Sequence, residues 1–142
     1  MRQALLRRAE GLTAYRISPA DTNYMALLFA PGAGGTRFTA VVEIFQPGGR
    51  TPPNTHAAAE ELFFVLKGEG LAHAGGKSVA LKAGDALAVP PGVEHVIENT
   101  GTGKLYTLTV MAPNEEFAEL LLAGTPVELD AEDRAVIGGG GR

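Results

Sequence analysis

Turn residues cut this chain into pieces too short for long helices. Glycine occurs 19 times and proline 9 times in 142 residues, about one position in five, where an ordinary domain carries roughly 12%. Between the breaks lie short runs at Tyr24–Phe29, Arg37–Gln46, Leu62–Leu66, Leu71–Ala74, Lys77–Leu81, Ala86–Val89, Val93–Glu98 and Leu105–Val110. Such runs, favouring β-branched and aromatic residues and closed by Gly or Pro, read as strands. Gly75-Gly76 fills a two-residue hairpin turn that needs positive φ. Eight short strands at close spacing predict an all-β sandwich or barrel.

Two places resist that pattern. In His56–Leu62, Ala, Glu and Leu favour helix, but the apolar run behind them and the glycines at 68 and 70 favour a strand. At the C-terminal end Asn114 can cap a helix running to Ala123, with Gly124 as its stop and Glu115 and Glu116 near the positive end. Phe117, Leu120 and Leu121 would form its apolar stripe, for packing or as a lid, and a further helical turn starts at Asp130. The expected organisation is an N-terminal arm at 1–21, a barrel at 22–112, a helical extension at 113–137 and a disordered tail at 138–142.

Composition narrows the function classes. A chain of this length buries roughly two thirds of its unfolded surface as one domain. The formal net charge is −4, and no Lys/Arg run could grip phosphates, which argues against nucleic acid as a partner. The chain has no cysteine, so thiolate ligands and disulfides are excluded. No apolar run reaches the roughly 20 residues of a membrane span, and Met1–Leu12 lacks the apolar region of a signal peptide, so a cytoplasmic location is expected.

Chemistry concentrates in two stretches. Asn54, His56 and Glu61 lie between Pro47-Gly48-Gly49 and an apolar strand, and His95 follows Pro90-Pro91-Gly92. A single histidine on an apolar strand is more often hydrogen-bonded than metal-bound. Two of them with a carboxylate, placed near rigid turns on strand-like segments, make a candidate metal site. His73 lies between the stretches and reads as structural or exposed. Asn99 reads as a turn residue.

These stretches resemble the paired motifs of the cupin superfamily. The first family pattern is Gly, five residues, His-x-His, three or four residues, Glu, six residues, Gly. Here Gly48 and Gly49 precede Asn54-Thr55-His56, with Glu61 and Gly68 following in step. The second pattern is matched in full by Gly84, Pro90, Gly92, His95 and Asn99. The likeness implies a cupin-like β-barrel or jelly roll with a short C-terminal helix, and a homodimer, for which the Tyr24–Phe29 strand would offer an edge.

The resemblance also implies one divalent metal ion on His56, Glu61 and His95. Asn54 stands where the family carries a histidine and would be a weak fourth ligand or none. Strand alternation turns Glu60 away if Glu61 points inward. Two imidazoles and one carboxylate leave open positions and suit ferrous iron, with manganese, nickel or zinc as alternatives. The implied activity is that of a dioxygenase-like oxidoreductase on a small, anionic organic molecule. Non-redox Lewis-acid catalysis (isomerase, decarboxylase or hydrolase) and a non-catalytic ligand-binding module are the alternatives.

Overall fold

The computed structural model of the chain describes residues 3–32 and 35–139. The expectation of a disordered tail falls, for residues 140–142, outside that range. A 3-10 turn at Ala9–Gly11 is followed by β1 (Ala14–Arg16), β2 (Tyr24–Phe29), β3 (Thr39–Phe45), β4 (Glu60–Lys67), β5 (Glu69–Ala74), β6 (Lys77–Lys82), β7 (Ala86–Val89), β8 (His95–Asn99) and β9 (Leu105–Ala112). Helix α1 (Phe117–Leu122), β10 (Thr125–Val127) and α2 (Ala131–Ile137) complete the chain. The eight expected strands are all present as β2 to β9. The two short strands β1 and β10 carry no pattern legible in the sequence.

All pairings are antiparallel, in a seven-stranded sheet ordered β10-β1-β2-β3-β9-β4-β7 and a three-stranded sheet ordered β6-β5-β8. The fold is therefore the all-β jelly roll with a short C-terminal helix that the sequence predicts, its two sheets not closing into one continuous barrel. Strand β2 lies between β1 and β3 and offers no free edge, contrary to expectation. Gly75 and Gly76, at φ 57° and 81°, make the two-residue β5–β6 turn as the sequence predicts.

Between the sheets Phe45, Phe63, Val65, Ala72, Leu81, Val89, Ile97 and Leu105 form one cluster. Each large apolar side chain buried there contributes roughly 1.5–3 kcal/mol. Strand β4 alternates strictly, so Phe63 and Val65 are buried while Leu62, Phe64 and Leu66 face outward. Phe64 and Leu66, apolar as they are, stand outside the core because of the two-residue period of a strand.

Strand β3 is buried on both faces. Val42 and Ile44 on its outer side pack with Tyr24, Tyr106 and Leu129, covered by Val136 and Ile137 of α2. Helix α2 is held by the carboxylate of Asp133. It accepts from the hydroxyls of Tyr24 and Tyr106 at 2.6 Å each and from Lys104 Nζ at 3.0 Å. Burial and the Asp133 bond push the Tyr24 phenol up to about 12. Asp130 and Asp133 form a reciprocal capping box at the helix start foreseen from the sequence.

Helix α1 begins at Phe117, three residues beyond the cap expected at Asn114. Asn114 still caps that turn, its Oδ1 accepting from Ala118 N at 2.9 Å. Glu115 and Glu116 both take left-handed φ, 48° and 65°, an unfavourable conformation for residues with side chains. A Cβ at Gly124 would collide with the backbone oxygen of Arg16. Position 124, two residues past α1 and beside the end of β1, therefore has to be glycine.

Candidate metal centre

The two motifs lie antiparallel against each other. Asn99 N donates to Gly49 O, Thr51 N to Ile97 O, and Gly92 N to His56 O, at 2.8–2.9 Å. Asn54 and His95 exchange backbone bonds in both directions, at 3.1 and 2.9 Å. Residues 49–56 thus run along β8 as an irregular strand. Pro52 and Pro53 lack the N–H groups that a regular ladder needs.

This register collects three side chains from three elements. His56 comes from the loop before β4, Glu61 from β4 in the large sheet, and His95 from the start of β8 in the small sheet. A ligating atom from each lies within 4.8 Å of the other two. Glu61 is buried and Glu60 exposed, as alternation predicts. Oε1 of Glu61 stands 2.8 Å from Nε2 of His95 and 3.1 Å from Nε2 of His56.

The tautomer of His95 bears on what this arrangement can hold. Its Nδ1 lies 3.0 Å from the Val93 carbonyl, which can only accept, so Nδ1 carries a proton. In the neutral ring Nε2 then presents a lone pair toward the carboxylate, and two acceptors face each other at 2.8 Å. A proton or a cation must lie between them. Burial pulls the His95 pKa down, but the Glu61 hydrogen bond, the Val93 carbonyl and the Glu61 charge outweigh it and leave the imidazole raised. The donor set therefore fits a divalent ion on two imidazoles and a carboxylate.

Asn54 lies on the wall of the same cavity. Its Nδ2 donates to the Pro52 carbonyl at 3.0 Å, and its Oδ1 has no hydrogen bond among the described residues. His73 is not among the three converging donors and bonds Ser78 and Glu98 on the small sheet. Asn99 is buried and closes the 99–103 loop, donating to the Phe45 and Gly103 carbonyls and accepting from Gly101 N.

Two further acids beside the centre were not singled out as site residues from the sequence. Glu115 accepts from the backbone N–H groups of Ala57, Ala58 and Ala59, which directly follow His56. Desolvation opposes its ionisation, but those amides and nearby His56 win and hold the carboxyl below its ordinary range. Glu43 lies on β3 and opens on the cavity. Burial, with the Glu61 charge adding, pushes it up to about 8 despite a bond from Thr109. An acid inside the run Val41-Val42-Glu43-Ile44-Phe45 was the available signal for the second. Nothing local marks the first.

The cavity measures about 430 Å³. Beside the three donors its wall includes Met25, Phe63, Met111, Phe117 and Leu120, which make it apolar, and Arg50 at its exposed side. Phe117 and Leu120 belong to α1, so the C-terminal segment forms part of that wall.

The model of the cupin domain matches residues 41–111, half of the chain, and the chain belongs to that family. It is 40% identical over 65 residues to an oxalate-binding protein of Thermotoga maritima, covering 46% of this chain and 54% of that one. It is 33% identical over 92 residues to oxalate oxidase 1 of Hordeum vulgare, covering 57% and 46%. The matches span about half the length of these curated relatives. Among solved structures, an RmlC-like cupin from Shewanella frigidimarina superimposes with a TM-score of 0.67 at 21% identity, over 83% of this chain and 99% of that one. No helix among the described residues is long and apolar enough to cross a membrane.

Proposed function

We propose that this cupin holds one divalent metal ion on His56, Glu61 and His95 and uses it in a dioxygenase-like oxidation of a small organic molecule rich in oxygen. The observation that carries the reading is the convergence of three ligating atoms within 4.8 Å on the wall of an apolar cavity. A ferrous ion there would supply Lewis acidity and one-electron chemistry to a chelating ligand. The Val93 carbonyl orients the His95 ring, and Glu61 supplies the charge that favours a cation. Met25, Phe63, Met111 and Phe117 keep bulk water from the ligand. Two relatives named for oxalate support a small oxyanion as the class of ligand.

A second reading is ligand binding without turnover. It is favoured by Asn54 in the place of a family histidine, which limits the strong donors to three, and by a relative named for binding alone. Loading the protein with Fe(II), Mn(II), Ni(II) or Zn(II), then following O₂ uptake with oxalate, catechol and an enediol, separates the two. Uptake with iron supports the oxidation. Tight binding of oxalate without uptake or product supports the second reading, and absence of any metal binding refutes the oxidation and moves the weight to ligand binding without an ion.

A further inference from the structure

Among the described residues three carboxylates are buried, Glu61 at the centre and two others, Asp133 and Glu43, that are treated in opposite ways. Asp133, fully buried, accepts from two tyrosine hydroxyls, a lysine and the Asp130 backbone N–H. Glu43, 2% exposed, has a single donor among the described residues, Thr109 Oγ1, at a long 3.4 Å. That hydroxyl is also engaged with Thr107 Oγ1 at 2.9 Å. No Lys, Arg or His forms an ion pair with Glu43 among the described residues.

A buried carboxyl with so little support is costly, and an apolar side chain of similar size would serve the fold better. Its position explains its presence. Register pairs Glu43 with Thr107 on β9 and Met25 on β2, and the side chain lies on the wall of the cavity that His56, Glu61 and His95 also line. The partner it lacks has to come from the cavity.

We propose that Glu43 binds the ligand, forming a hydrogen bond to an oxygen of a small molecule held at the three-residue centre. The ligand class is a hydroxy-carboxylate or enediol, which offers a further oxygen besides those facing the ion. Sharing a proton between that oxygen and the Glu43 carboxyl satisfies both without a second buried charge. The raised pKa of Glu43 agrees with this, since burial favours its protonated form. The assignment rests on the metal reading above.

The test uses the full chain as wild type, Glu43→Leu and Glu43→Gln, titrated first with Co(II) alone and then with glycolate, each read by the cobalt absorption spectrum. Glu43→Leu is expected to bind cobalt within about threefold of wild type, to lose about tenfold or more in glycolate affinity, and to melt at a higher temperature. Glu43→Gln, which keeps a polar group, should fall between, and it carries the comparison if the leucine variant does not fold. Equal glycolate affinity in all three proteins overturns the assignment, as does a cobalt-loaded wild type indifferent to glycolate. Loss of cobalt from both variants makes Glu43 a donor to the ion and overturns it as well. A wild type that takes up no cobalt refutes the metal reading itself, and this assignment falls with it.

Discussion

Nε2 of His95 and Oε1 of Glu61 meet at 2.8 Å although 34 residues separate them in the chain and they belong to different sheets. The contact depends on the pairing of residues 49–56 with β8, so the centre is built by tertiary structure. Replacing His95 with alanine removes one donor and leaves Glu61 with His56 alone. Its expected effect on Zn(II) affinity exceeds the roughly 10–100-fold loss typical of removing an outer-sphere partner. The β-sheet circular dichroism should remain. Competition with a chromophoric chelator measures the first, and unchanged affinity would remove His95 from the site.

Glu115 ties down the loop that follows His56 through its backbone. Its carboxylate fastens the amides of Ala57–Ala59, and two consecutive left-handed residues present it there. Glu115→Ala should weaken metal binding about 10- to 100-fold and speed hydrogen exchange at those amides. Because the folded pKa lies below the ordinary value, this tie is present above that value and is released as pH falls through the folded one. Exchange rates that ignore the substitution would show that the loop holds itself.

Glu43 gives the opposite pH dependence in the metal-free protein. Its carboxyl titrates at about 8 when folded, against an ordinary 4.5, so the native state binds the extra proton. Its contribution to stability is fully present below 4.5 and is lost as pH rises toward 8. The loss is on the order of a few kcal/mol. Melting temperatures across that interval should fall more steeply in wild type than in Glu43→Leu, and parallel curves would contradict the assignment of that pKa.

Asp133 anchors the C-terminal helix. Asp133→Ala strips the acceptor from two buried hydroxyls and takes one of two carboxylate partners from Lys104, which is 11% exposed and keeps Asp130. Breaking a buried pair in this way costs about 3–5 kcal/mol. A large fall in melting temperature is expected with cobalt affinity, measured well below the transition, unchanged. A variant as stable as wild type would mean that α2 is held by its apolar contacts alone.

How much of this was legible beforehand follows from the range of the forces involved. Strands β2 to β9 are written in local alternation and turn chemistry, and Gly75-Gly76 and Asp130 act within their own few residues. His56, Glu61 and His95 were reachable because turns of fixed geometry set their spacing. Strands β1 and β10, three residues each, are strands only because a sheet edge accepts them. Glu115 was illegible because its partners lie 56 to 58 residues away. Glu43 was within reach of parity, but the burial of both faces of β3 conceals which side chains turn inward.

That double burial limits how the protein can be divided. The stretch shared with the family, residues 41–111, contains Val42, Ile44 and Tyr106 but none of the segments that shelter them, which come from residues 12–26 and 127–137. Excised alone, it would present a bare greasy wall to solvent and lose the acceptor for the Tyr106 hydroxyl. The smallest autonomous unit is therefore close to the whole chain, and the flanks are as much a part of the jelly roll as the motifs they enclose.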